Sequence, residues 1–591
     1  MLAEADAAMP RFWTSPSSFC LLFLLVSSSA SENDTVVVTS SGPIRGKRLP
    51  AGSGSVTAYL GIPYAEPPIG KLRFQKPIPH QPWSQVLEAT TFGNSCHQAI
   101  IDFLPNSTIL FPNTPLSEDC LFLNIWVPNP QPVKPVPILL WIYGGGFISG
   151  TASLDIYNGA FLAATENVIV ASMNYRVGTL GFLYLPPDAP GNAGLWDQHL
   201  ALKWVSENAA VFGGDAAQIT LFGVSAGGSS VGFHLFSPAS QPLFARAVLQ
   251  SGVPNAPWGW RNPEDALRVS VNVSDLMGCP TANHSAMVSC LQGKEGKAFS
   301  DLGPMFSLTT DGEFIPDDPQ KLLETGGVQG KPILAGVSAD EGSHMVLMLF
   351  PSIIGNDSIL TREQLYEGVN QTVKNGTKQN AINAAILKYV QESHGPEQYQ
   401  MALTQFLGDY FFVCPLAEFA AKVGGAKSPV YVYYFDHRSP IWPKWAGTPH
   451  GAELPYLFGI MASESQTNQS EAAAEDAELS RRVMRYWADF ARSGNPTGSE
   501  ASEVKWPVYN STEQNFFHIG GKAAQPKRRS PASHCGFLAS LFSNATEAGE
   551  FGAPLGKAFS EVSEEGSTSP ILEKGPKNET QDNGIHTLGT G

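Results

Sequence analysis

The chain lacks any apolar run long enough to cross a bilayer comfortably, any C-x-x-C pair or cysteine/histidine cluster, any repeat of fixed period and any excess of positive charge. The first absence argues against a spanning helix, and the second leaves no motif for a bound metal. The third sets aside solenoids and propellers. A formal charge of -16 at pH 7 would repel phosphates, so no nucleic-acid partner is expected. What the chain does have is bulk. Its 591 residues are 43% hydrophobic and 10% aromatic, which suits one large domain with an extensive core.

Near the N-terminus, Phe19-Cys20-Leu21-Leu22-Phe23-Leu24-Leu25-Val26 is followed by the small residues Ser28-Ser29-Ala30, and residues 1–30 read as a signal peptide. Glu4 and Asp6 ahead of Arg11 make its start unusual, whereas Met9 would give a more ordinary basic one. Eleven N-x-S/T sequons agree with secretion, at Asn33, Asn106, Asn272, Asn283, Asn356, Asn370, Asn375, Asn468, Asn510, Asn544 and Asn578. Of seven cysteines, Cys20 lies in the signal segment, which leaves an even set suited to disulfides in an oxidising compartment. Spacing alone does not choose among their pairings. Residues 31–548 are expected to form the domain, and 549–591, rich in Gly, Ser, Glu, Pro and Thr, a disordered tail without a lipid-anchor signal.

Along the mature chain, Leu121–Val127, Pro137–Ile142, Val168–Asn174, Ile333–Val337 and Val430–Phe435 read as strands, several of them apolar throughout. Such runs belong to sheets covered on both faces. Leu195, Gln198, Leu202, Val205 and Ala209 fall at helical spacing over about Asn192 to Val211, and Leu479, Val483, Trp487 and Phe490 mark a helix ending at Ser493-Gly494-Asn495-Pro496. The alternation predicts an α/β fold: a large, mostly parallel central sheet with helices on both faces.

The strand-like Ile219–Phe222 runs into Gly223-Val224-Ser225-Ala226-Gly227. This matches G-x-S-x-G, an elbow whose glycines let the backbone bend and push the serine hydroxyl outward. Ser225 is therefore the candidate nucleophile. A serine hydroxyl needs a base, and the base needs a carboxylate, in the chain order serine, acid, histidine for this fold. Asp340 and Glu341 follow a predicted strand, and one of them is expected to enter the site. His450, in the loop Trp442–Glu453, is the candidate base, with His234 and His437 as other histidines of the mature chain. Tyr143-Gly144-Gly145-Gly146-Phe147 follows a buried strand, where glycines can aim N–H groups at an oxyanion, and the N–H of Ala226 would join them.

Together with Ser117–Asn124, Gln250-Ser251-Gly252, Asp340–Ser343 and Trp442–Glu453, these stretches resemble the type-B carboxylesterase/lipase family, most closely its cholinesterase-like members, from about Val38 to Glu547. The resemblance implies the α/β-hydrolase fold and a serine carboxylic ester hydrolase. It implies Ser225 as nucleophile, Glu341 as acid, His450 as base, and Gly145, Gly146 and Ala226 as the oxyanion hole. It also implies the disulfides Cys96–Cys120, Cys279–Cys290 and Cys414–Cys535, the last of them typical of cholinesterases and able to contribute about 4 to 5 kcal/mol in the chain-entropy model.

Three departures bear on substrate. Between Cys96 and Cys120 there is no tryptophan of the kind that stacks on choline in cholinesterases. Leu110 takes its place, with Phe111 as the nearest aromatic. Val224 stands where the family carries glutamate before the nucleophile, and His344 stands where cholinesterases carry an aromatic. Trp258 matches a family tryptophan near the acyl pocket. The substrate-pocket candidates are thus Trp258, Val224, Phe111 and His344. The expected function is a secreted esterase acting on neutral small-molecule esters through an acyl-enzyme, with no metal or organic cofactor, no membrane span and a homo-oligomer left open. Activity should rise with pH as His450 loses its proton. The alternatives are a true cholinesterase and a non-catalytic adhesion protein of the same fold.

Overall fold

The computed structural model describes residues 35–542 except 101–107, 301, 303–307, 329, 355–358, 374–376, 426–427, 465–469, 499–504 and 521–529. The expected signal segment (1–30) and C-terminal tail (549–591) lie outside the described residues, as do the sequons at Asn33, Asn106, Asn356, Asn375, Asn468, Asn544 and Asn578. The other four sequon asparagines, Asn272, Asn283, Asn370 and Asn510, are exposed.

A ten-stranded sheet organises the chain. In chain order its strands are β1 (Lys47–Ala51), β2 (Gly54–Pro63), β3 (Phe122–Asn129), β4 (Val136–Ile142), β5 (Ile169–Met173), β6 (Gly214–Val224), β7 (Arg246–Gln250), β8 (Ile333–Ser338), β9 (Val430–Phe435) and β10 (Phe517–Ile519). In space they run β1-β2-β3-β5-β4-β6-β7-β8-β9-β10. The ladders β1·β2, β2·β3 and β3·β5 are antiparallel, and all those from β5·β4 to β9·β10 are parallel. Every residue of β4, β5 and β8 is buried, because both faces are covered and neither set of alternating side chains reaches water. The expected strands at Pro137–Ile142, Ile333–Val337 and Val430–Phe435 are present, each within about a residue of its expected ends.

Helix α1 (Ala193–Asn208) carries Leu195, Gln198, Leu202 and Val205 on its buried side and continues into a 3-10 turn that buries Ala209. Helix α2 (Ala226–Phe236), buried throughout, leaves the end of β6 and packs against β6 and β7. Helix α3 (Ser343–Leu349) follows β8, α4 (Gln398–Gly408) packs against it, and α5 (Cys414–Val423) follows a π-helical turn at Asp409–Val413. Helix α6 (Glu471–Ser493) buries Leu479, Val483, Trp487 and Phe490 and stops at Gly494, whose φ of +78° forms a left-handed cap. The core centres on Trp141 of β4, whose ring lies 4.8 Å from Phe222 of β6 and 5.0 Å from Phe458. Three disulfides cross-link the chain, Cys96–Cys120, Cys279–Cys290 and Cys414–Cys535. Among the described residues, no helix is long and apolar enough to cross a membrane.

Candidate active site

The site assembles at the ends of β4, β6, β7, β8 and β9. Ser225 sits between β6 and α2 with φ +58° and ψ -124°, outside the regions that side chains ordinarily adopt. The strained turn is held from two sides. The Ser225 N–H donates to the Gln250 carbonyl at 2.7 Å. Gly227 lies so close to the end of β4 that a Cβ there would stand 2.0 Å from the Ile142 carbonyl oxygen. The elbow glycines thus permit close approach as well as bending.

The glycine loop lies against the elbow: a Cβ on Gly144 would come 2.9 Å from the Ser225 Cβ. Gly145, Gly146 and Phe147 have φ of +119°, +60° and +63°. Among the described residues, no loop or turn hydrogen bond takes up the N–H of Gly145 or Gly146, and Ala226, first in α2, lies ahead of any intrahelical acceptor. The loop is clamped at both ends. Tyr143 and Tyr175 stack at 4.4 Å and each hydroxyl donates to the other's carbonyl, at 2.8 and 3.0 Å. At the far end Gly150 exchanges two hydrogen bonds with the Gln98 side chain, 2.7 and 2.9 Å.

Glu341 and Asp340 diverge, as neighbours after a strand should. Glu341, 1% exposed, accepts at Oε2 from His450 Nδ1 at 2.5 Å. Its Oε1 accepts from the Ser251 hydroxyl at 2.5 Å and the Ser338 N–H at 2.6 Å. With Nδ1 carrying the proton toward the carboxylate, Nε2 of His450 is left as the basic nitrogen. Asp340 instead holds the loop that carries the histidine: its Oδ2 accepts from the Thr448 N–H at 2.8 Å and its own N–H donates to the Thr448 carbonyl at 2.9 Å. Burial pushes the Asp340 carboxyl above its usual range. The same loop is tied to α6 through Asp476, which accepts from Tyr456 and Ser439 and pairs with His437 at 2.6 Å. Asp476 stays below the usual carboxylate range because these hydrogen bonds together outweigh its burial. His437 therefore has a structural job, and so does His234, which is buried in α2 and bonded to Ser240 and Gln198.

Behind Glu341 lies a second buried carboxylate, Glu453, which accepts from Gln250 Nε2 at 2.9 Å and from the Tyr433 hydroxyl at 3.1 Å. Burial raises its pKa, the Gln250 bond opposes this, and the charge of Glu341 adds to the rise. Sequence reasoning assigned Glu453 no role. A cavity of about 180 Å³ also lies beside Glu341, walled by Gln405, Asp409, Tyr434 and His534. Neither Ser225 nor His450 lines it, so it is not the opening at the elbow.

Aromatic rings form one wall of the site. His344 stacks on His450 with centroids 4.7 Å apart and planes 24° apart. Phe412 lies 4.9 Å from His450, 6.1 Å from His344 and 5.9 Å from Trp258, and Trp258 in turn lies 6.5 Å from Phe147 of the glycine loop. The structure thus brings Trp258 and His344 together with His450 through Phe412, a residue that sequence reasoning missed. Phe412 belongs to the π-helical turn, which leaves no periodic signal in sequence. Val224 is buried, with Cγ1 3.2 Å from where a Gly144 Cβ would stand, so it packs against the glycine loop. Phe111 is half-buried in a turn closed on Thr108 and, among the described residues, joins none of these ring contacts. Burial, then the neighbouring His450, pushes the His344 imidazole well below its usual pKa, which keeps it neutral.

The sequence matches the model of the Carboxylesterase family over residues 33–538. It is 41% identical to a cholinesterase of Mus musculus over 548 residues, covering 89% of this chain and 90% of that protein. It is 42% identical to an acetylcholinesterase of Bungarus fasciatus over 524 residues, covering 85% of each.

Proposed function

This chain belongs to the carboxylesterase family and is a carboxylic ester hydrolase, and from that premise we propose that Ser225, His450 and Glu341 are its catalytic triad and that it acts on neutral esters. The observation that carries the proposal is the 2.5 Å bond from His450 Nδ1 to a buried Glu341, in a site that also holds a strained serine at a strand-to-helix elbow. Ser225 Oγ attacks the ester carbonyl while His450 Nε2 takes its proton, and Glu341 stabilises the resulting imidazolium. The N–H groups of Gly145, Gly146 and Ala226 receive the oxyanion. The tetrahedral intermediate collapses, the C–O bond to the leaving group breaks, and His450 returns the proton to the departing alcohol. Water then attacks the acyl-enzyme by the same route and releases the acid and the free serine.

Preference for neutral esters rests on Val224, an apolar side chain packed beside the glycine loop where a carboxylate would attract a cation, and on the neutral His344. Secretion is supported by the signal-like segment, the exposed sequons and the three disulfides, and residues 31–548 are proposed as one catalytic domain. The test is a substrate panel with matched acyl groups. The proposal expects kcat/KM for a neutral alkyl ester to equal or exceed that for the acylcholine. The 41% and 42% identities to the two cholinesterases favour the second reading, an acylcholine hydrolase, and a choline preference of tenfold or more would select it.

A further inference from the structure

We propose that His344 is a positioning residue for the base: its ring holds the His450 imidazole in the orientation that proton transfer from Ser225 requires. The inference rests on the triad reading above and adds a second constraint to it. A single hydrogen bond at Nδ1 fixes one direction of an imidazole and leaves the ring free to rock about that bond. Stacking on a flat neighbour removes the remaining freedom. Here the two constraints come from one short segment, since Glu341 bonds Nδ1 at 2.5 Å and His344, three residues on, covers the ring face at 4.7 Å with planes 24° apart. The distance is that of an offset-stacked pair.

The platform is rigid. His344 is the second residue of α3, whose Ser343, Met345, Val346 and Leu347 are buried. The preceding Gly342 is so tightly packed on α4 that a Cβ would stand 2.2 Å from the Thr404 carbonyl oxygen. Phe412 meets the His450 ring at 4.9 Å and the His344 ring at 6.1 Å, so rings carried by two separate elements contact the base. Among the described residues, the ionisable groups that face His450 are Glu341 at Nδ1, His344 on the ring face, and Glu453, which feels the His450 charge from farther along its own loop. Of these, His344 contributes a flat neutral face. The face it offers His450 is a matter of ring shape, which a benzene ring shares, although phenylalanine gives up the hydrogen bond between His344 and the Glu341 backbone.

Wild type, His344→Ala and His344→Phe are compared on p-nitrophenyl acetate, with active sites counted by fluorophosphonate labelling. Removing the ring should lower kcat per labelled site roughly threefold to tenfold, the value of a stacked pair, and leave KM within about twofold because the small substrate does not need the ring. His344→Phe should recover most of the loss, and the midpoint of its acid limb should coincide with that of the wild type. Unchanged kcat in His344→Ala would overturn the proposal. So would failure of phenylalanine to rescue, or a shift of its acid-limb midpoint by more than about half a pH unit, which would make His344 a titrating group. Absence of labelling in all three proteins, wild type included, would overturn the triad reading and this inference with it.

Discussion

Replacing Glu341 by glutamine tests the acid assignment with the least change of shape. The carboxylate serves two sets of donors, His450 Nδ1 at Oε2 and both Ser251 Oγ and Ser338 N at Oε1. An amide cannot serve both. If its NH2 faces Ser338 and Ser251, the Ser251 hydroxyl can turn to accept but the buried Ser338 N–H meets a second donor, at about 1–3 kcal/mol for the unsatisfied group. If it faces His450, Nδ1 must become the acceptor and the proton moves to Nε2, where it blocks the transfer from Ser225. The second arrangement relieves the buried clash, so the wrong tautomer should dominate. The loss expected from a wrong tautomer is about 10³- to 10⁴-fold in kcat. Asp340→Asn is the internal control. Its amide oxygen can still accept from the Thr448 N–H, the bond that Oδ2 now makes at 2.8 Å, so kcat should fall less than about tenfold. Both variants are assayed on p-nitrophenyl acetate at pH 7.5 alongside thermal unfolding. A Glu341→Gln enzyme that is folded and loses less than tenfold, or an Asp340→Asn enzyme that loses more than Glu341→Gln, would refute the assignment.

Burial, with a smaller push from His199, lowers the His234 pKa to about 3, whereas an unfolded histidine titrates near ~6.5. The unfolded chain therefore binds a proton that the folded one refuses, and stability falls as pH drops below ~6.5, by about 2 kcal/mol at pH 5 for this residue. In urea unfolding at pH 7 and pH 5, the wild type should lose that much more stability than His234→Gln, and equal losses would show that the ring is not held neutral. Gly227→Ala should abolish folded, active enzyme, since its Cβ would stand 2.0 Å from the Ile142 oxygen, whereas Gly536→Ala, in a helix with nothing within 4 Å, should match or exceed wild-type stability. Soluble Gly227→Ala with normal turnover would remove the packing argument for the elbow.

The middle of the sheet was legible because several of its strands are almost wholly apolar, and the runs at Pro137–Ile142 and Val430–Phe435 delimit strands to within about a residue. The elbow and glycine loop were legible because tight turns demand glycine, whose spacing survives in sequence. Asp340 and Glu341 were not separable from residue chemistry, since both are acids after the same strand. Only the fold shows that one bonds Thr448 and the other His450. Phe412 was invisible for a different reason: it reaches the site through a π-helical turn far along the chain. His344 showed itself in sequence only as a replacement for an aromatic, and its stack on His450 is a tertiary fact. Phe111 was chosen as the aromatic nearest to Leu110, and nearness along a loop does not set the direction of a ring.

A fluorophosphonate probe tests the Ser225 nucleophile most directly. Incubated with the native enzyme and mapped by mass spectrometry, it should leave one covalent adduct, on Ser225, with loss of esterase activity in proportion to labelling. The adduct should be absent from Ser225→Ala and from protein denatured before exposure. No adduct on the native enzyme, an adduct on another residue, or full ester turnover by purified Ser225→Ala would contradict the assignment.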